Sequence, residues 1–117
     1  MIAVLLAALT FQQATATAYS TREHLEGCQS PGRCRTACGS WLDDRAFTVA
    51  ANPRLNLGCG QRLIVCRPVP RLCHRATVTD RTASGFGFEV SVALAAATGR
   101  TGAAWDAPRT VLYRVIR

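Results

Sequence analysis

With 117 residues, 49% hydrophobic and 18% charged, the chain has room for one compact domain with a modest core, which excludes a second domain and a disordered polymer. No apolar run reaches the ~18 residues of a membrane span, so stable membrane insertion is not expected. The formal net charge of +7 rests on arginine without any lysine, but the arginines are dispersed and aromatics make up only 7%. The basic-plus-stacking signature of nucleic-acid binding is therefore missing, and no nucleic-acid partner is expected.

Six cysteines in so short a chain point to a bridged framework formed in an oxidising compartment. Metal binding is the rival reading. It lacks support, because there is no C-x-x-C pair and Cys73-His74 is the one close Cys and His. No metal or other cofactor is expected.

In chain order, Met1 to Phe11 is an apolar stretch, followed by Gln12, Gln13 and the small-residue run Ala14 to Ala18. That pattern reads as a secretory leader with an A-x-A site near Ala16, although no Lys or Arg precedes it. Residues 1–16 are thus expected to be a signal peptide and 17–117 the secreted domain. Thr15 to Ser20 reads as a short strand with Tyr19 its largest side chain. Thr21 to Gly39, with three cysteines and no periodicity, reads as a long bridged loop. Arg45 to Ala51 alternates, with Phe47, Val49 and Ala51 on one side. Asn52, Pro53 and Arg54 turn the chain.

Arg62 to Cys66 reads as a core strand, Arg67 to Arg71 (R-P-V-P-R) as a stiff connector, and Leu72 to Thr79 as the return strand. A turn centred on Val69 and Pro70 sets Cys66 opposite Cys73. Glu89 to Thr98 has helical spacing and Gly99 as its cap, with Glu89 in the first turn. Thr110 to Ile116 is a final strand. The sum is a mainly β protein, with short strands, one short helix and long bridged loops, which suits a small closed barrel.

Several segments together resemble the six-stranded double-psi β-barrel of barwin-like proteins, expansins, family 45 endoglucanases and rare lipoprotein A. Ala16 to Ser20 (A-T-A-Y-S) is similar to the A-T-W-Y-G start of expansins. Ala37-Cys38-Gly39 resembles their G-A-C-G element, and Cys59-Gly60 their C-G. Thr48 to Leu55 (T-V-A-A-N-P-R-L) resembles T-A-A-H-R-T-L-P of rare lipoprotein A, Asp80-Arg81 its D-R-G-P, and Phe88 to Ser91 its H-F-D-L-S. The resemblance to expansins implies the pairs Cys38–Cys59 and Cys66–Cys73, leaving Cys28–Cys34. The chain departs from rare lipoprotein A in having Asn52 where the family has histidine, D-R-T-A for D-R-G-P, and Glu89 for an aspartate.

The implied chemistry is glycan handling at the cell wall, with peptidoglycan or another wall polysaccharide as partner. A lytic transglycosylase needs one carboxyl that acts as acid and then base, whereas hydrolysis ordinarily needs two. Asp80 is the first candidate, because the set His74, Ala76, Val78 continues to Asp80 and aims it at the apolar side. Glu89 is the second. Tyr19 could stack on a sugar or fill the core, and Asn52, Asp43 and Asp44 could line a groove. His24 and His74 have no partner that suggests a nucleophile triad. The alternatives are a non-catalytic polysaccharide-binding barrel of expansin or barwin type, and a structural or interaction protein. A monomer is expected.

Overall fold

The structure, a computed structural model, describes residues 10–20, 28–30, 33–83 and 85–116. The start of the expected leader, residues 1–9, and residues 21–27 of the expected loop, with His24, lie outside the described residues. Among the described residues eight strands form: β1 (Gln12–Ala18), β2 (Cys28–Ser30), β3 (Arg33–Cys34), β4 (Thr48–Ala51), β5 (Arg62–Arg67), β6 (Leu72–Arg81), β7 (Phe88–Val90) and β8 (Arg109–Ile116). Among the described residues there is one α-helix, α1 (Val92–Ala97).

Six strands close into a barrel in the order β1-β7-β4-β6-β5-β8, while β2 and β3 make a separate two-stranded piece. Two neighbour pairs are parallel, β1 with β7 and β4 with β6, and the remaining contacts are antiparallel. Closure leaves none of the six with a free edge. The alternation of each strand then decides the interior: Ala16, Val49, Ala51, Leu63, Val65, Ala76, Val78, Phe88, Val90 and Val111 pack with Leu94 of α1. Phe88 meets Tyr113 edge to face, with centroids 5.0 Å apart.

Three disulfides join Cys28 to Cys34, Cys38 to Cys59 and Cys66 to Cys73, the set implied by the resemblance to expansins. Cys38–Cys59 ties the segment after β3 to the loop before β5. Closing a loop of that size is worth about 3 kcal/mol in the chain-entropy account.

Element ends differ from expectation in three informative places. The first strand starts at Gln12, because Gln12 to Ala16 pair with Tyr113 to Arg109 of β8. The helix covers only Val92–Ala97, because Ser91 is its N-cap and Phe88–Val90 is drawn into the barrel between β1 and β4. Glu89 therefore sits mid-strand and not in a helix first turn. Phe47 stays 40% exposed, stacked on His74 at 3.8 Å, and does not join Val49 and Ala51 inside.

Ser91 is the joint that holds these pieces together. Its buried hydroxyl donates to the Ala46 carbonyl at 2.6 Å and accepts from the amides of Thr48 and Leu94, each at 3.2 Å. One side chain thus caps α1 and fixes β4 beside β7.

Candidate functional site

β4 is short and buried on both faces. Val49 and Ala51 point into the barrel, and Ala50 points out against a second apolar cluster of Tyr19, Cys34 and Leu42. Ala50 pairs with Glu89 of β7 on one side and with Asp80 of β6 on the other. Glu89 in turn pairs with Thr17 of β1. Paired residues share a face, so Thr17, Glu89, Ala50 and Asp80 form one row across the outside of four strands. Three strand spacings make the row about 14 Å long, with Asp80 and Glu89 about 10 Å apart at the backbone.

Asp80 reaches that row through a bulge. Val49 pairs with Val78 but Ala50 pairs with Asp80, so Thr79 is the extra residue. The expected alternation would have turned Asp80 inward with Val78, and the bulge turns it outward instead. There one carboxylate oxygen, Oδ1, accepts from the amides of Ala37 at 2.7 Å and Arg81 at 2.8 Å. The neighbouring Cys38 amide donates to the Thr79 carbonyl at 3.2 Å. The bulge is thereby the seat of the bridged segment that covers the outer face.

Tyr19 lies over Ala50 and is only 4% exposed, so its ring is core and has no free face for a sugar. Burial pushes its phenol well above the ordinary tyrosine range. A hydrogen bond with Thr48 acts the other way, and the charges of Asp80, Glu89 and Asp44 add to the rise. The phenol is therefore protonated at neutral pH. Asp44 is half-buried beside it, and its backbone carbonyl accepts from the Ala93 amide. Asp43 is exposed and used locally, with Oδ1 accepting from the Arg45 amide at 2.9 Å.

A second row lies one step along the same face. Asn52 follows β4, its amide donates to the Gly87 carbonyl at 2.8 Å, and the Gly87 amide donates to the Thr15 carbonyl at 2.8 Å. Asn52 is buried and its Oδ1 accepts from the Arg54 amide at 2.9 Å, which caps the 3-10 turn Pro53–Leu55. This row opens into a shallow cleft of about 260 Å³ lined by Gln13, Thr15, Asn52, Arg54, Phe86 and Gly87, among others. A Cβ on Gly87 would come within 2.9 Å of the Ala14 Cβ and 3.3 Å of the Thr15 carbonyl oxygen, so β1 can approach only a glycine.

Phe86 is the residue that sequence reasoning missed. It is 37% exposed in this cleft, and so offers the aromatic face that Tyr19 does not. The signal was present in G-F-G: an aromatic between two glycines in a loop has no strand or helix to bury it. Among the described residues, no group of three or more His, Cys, Asp or Glu is placed to hold a metal ion.

The closed six-stranded barrel with its two parallel strand pairs and bridged outer segment is a fold of the double-psi β-barrel type. No protein-family model matches the chain, and no curated protein does either. Solved structures do match. The expansin of Clavibacter michiganensis superposes with a TM-score of 0.63 at 22% identity, over 92% of this chain and 51% of that one. A mutant of that expansin, solved in complex with cellohexaose, gives 0.60 at 21%, over 92% and 51%. The Streptomyces papain inhibitor gives 0.65 at 17%, over 93% of this chain and 96% of that one. Cerato-platanin 3 of M. perniciosa gives 0.61 at 10%, over 91% and 95%. The chain spans about half the length of the expansin structures it matches.

Proposed function

We propose that this is a secreted barrel that binds cell-wall polysaccharide along the outer face of β1 and β7 and the cleft beside them. The observation that carries the reading is the cleft that exposes Phe86 beside Gln13, Thr15, Asn52 and Arg54, one step along the face from the half-buried Thr17 and Glu89. Such a surface supplies hydroxyl acceptors on carboxylates and an aromatic face for one sugar ring. The cellohexaose bound to the expansin mutant supports a glycan as ligand. Three disulfides suit an oxidising, extracytoplasmic location.

Binding without cleavage fits Asp80 best, since its Oδ1 is committed to two backbone amides and anchors a loop. Peptidoglycan as the polymer, and its lytic cleavage by the Asp80 carboxyl, form the finer version of the proposal. Sedimentation with insoluble peptidoglycan and with cellulose tests both versions. Wild type is expected in the pellet, and Phe86→Ala and Glu89→Gln in the supernatant, without anhydro-muropeptide products. No retention on any wall polymer at low salt would refute the binding claim, and anhydro products lost in Asp80→Asn would establish cleavage.

A second reading rests on the connector Arg67 to Arg71. It projects Val69, 83% exposed, between two prolines and is closed by Cys66–Cys73. A braced apolar tip of this kind suits insertion into a protein cleft, and the papain inhibitor is a match that covers both chains almost fully. Papain inhibition that is lost in Val69→Asp would favour this reading, and full papain activity in the presence of excess wild type would remove it.

A further inference from the structure

Three arginines meet at the barrel end beyond α1. Arg67 closes β5, Arg100 follows the helix and Arg109 opens β8, and together with Thr98, Thr110 and Val111 they line a recess of about 20 Å³. The topology brings them together. Arg109 pairs with Ala16, whose carbonyl accepts from Arg100 Nη2 at 2.9 Å. β5 and β8 pair at Cys66 and Leu112, which carries Arg67 alongside Val111. The Arg67 guanidinium rests on Gly99, where an added Cβ would collide with it.

These charges have no acidic partner among the described residues. Arg67 donates to the Pro70 carbonyl at 3.1 Å, Arg100 to those of Ala107 at 3.0 Å and Ala16, and Arg109 to that of Ala104 at 3.5 Å. The C-terminal end of α1 contributes at most about half a negative charge. Arg100 is 5% exposed, and burial lowers its pKa from the ordinary arginine value, with the charge of Arg109 adding to the fall. A guanidinium has about five N–H donors, so the two carbonyls leave Arg100 with donors to spare.

We propose that this recess binds a tetrahedral oxyanion of the phosphate or sulfate class. Its volume suits one water-sized particle, so one oxygen enters toward Arg100. The other oxygens meet the more exposed forks of Arg67 and Arg109, in the paired geometry that guanidinium and oxyanion share. The site stands apart from the Asp80 and Glu89 row and does not depend on glycan binding.

The test is a melting-temperature titration of the full chain with inorganic phosphate and with sulfate, at an ionic strength held constant with chloride. Both anions are expected to raise the melting temperature along a saturating curve. Arg67→Gln and Arg109→Gln should each shift the midpoint by about tenfold or more, and the double variant should lose the saturable part. Arg75→Gln, exposed on β6 outside the recess, should change nothing. A glycerol 1-phosphate arm separates the sources. A midpoint equal to that of phosphate assigns a phosphate carried on a larger molecule, and a response to inorganic phosphate alone assigns the free anion. Phosphorus-31 line broadening that persists unchanged in the double variant, or an unsaturable rise shared by all variants, would mean an adventitious ion only and overturn the proposal.

Discussion

Replacing Asp80 by alanine and by asparagine separates its anchoring role from its charge. Alanine removes the acceptor for the Ala37 and Arg81 amides, while asparagine keeps an oxygen at Oδ1. A hydrogen bond to a charged group contributes roughly 1.5–3 kcal/mol. The Arg81 bond is local and water can replace it, so the long-range bond to Ala37 dominates. Asp80→Ala should therefore cost about 2 kcal/mol, or about 10 °C in melting temperature for a domain of this size. Asp80→Asn should cost about 0.5–1 kcal/mol, the share owed to charge. Urea unfolding followed by tryptophan fluorescence gives both values, and amide exchange at Ala37 reports the loop directly. Equal losses in the two variants, or a loss below about 0.5 kcal/mol in Asp80→Ala, would refute the anchoring argument.

Three further outcomes follow from the packing and the charges. Gly87→Ala should cost about 2 kcal/mol, because the new methyl meets Ala14 and the Thr15 carbonyl; a neutral result in urea unfolding would show that β1 can shift. Tyr19 has its folded pKa raised above the unfolded value near 10, so its stabilisation is complete below about pH 10 and declines above it. The slope is about 1.4 kcal/mol per pH unit for each such tyrosine. The chain has no lysine and two tyrosines, Tyr113 having its pKa raised by burial as well. Tyr19→Phe should thus flatten the alkaline stability profile substantially, and an unchanged slope would contradict it. A protein starting at Thr17 lacks Gln12 to Ala16, the residues of β1 paired with β8. It should fail to fold while one starting at Thr10 folds, and N-terminal sequencing of exported protein should find the cut before Gln12.

Much of the barrel was legible because its strands alternate plainly and its cysteines fall at telling intervals. Leu63, Val65, Ala76 and Val78 follow period two into the core, and the prolines at 68 and 70 fall in the connection between β5 and β6. What misled was local resemblance between patterns. Residues 89–98 have helical spacing throughout, yet backbone pairing on both sides takes Phe88–Val90 into the sheet and leaves Ser91 to cap the shortened helix. The direction of Asp80 depended on Thr79, and no composition signal marks a bulge. Of the two places open to Tyr19 the structure takes the core one, since Ala50 is small enough to admit a ring on the outer face, and the exposed ring belongs to Phe86, which the sequence reading did not single out.

The central claim is that the outer face of β1 and β7 and the cleft beside them form one glycan surface. Backbone amide chemical shifts recorded while titrating cellohexaose, or a soluble peptidoglycan fragment, test it most directly. The account predicts that Thr15, Thr17, Asn52, Gly87 and Glu89 shift together along one saturating curve, with Phe86 among the largest changes. Saturable shifts confined to Arg67–Arg71, or an absence of saturable shifts with every wall glycan, would contradict it.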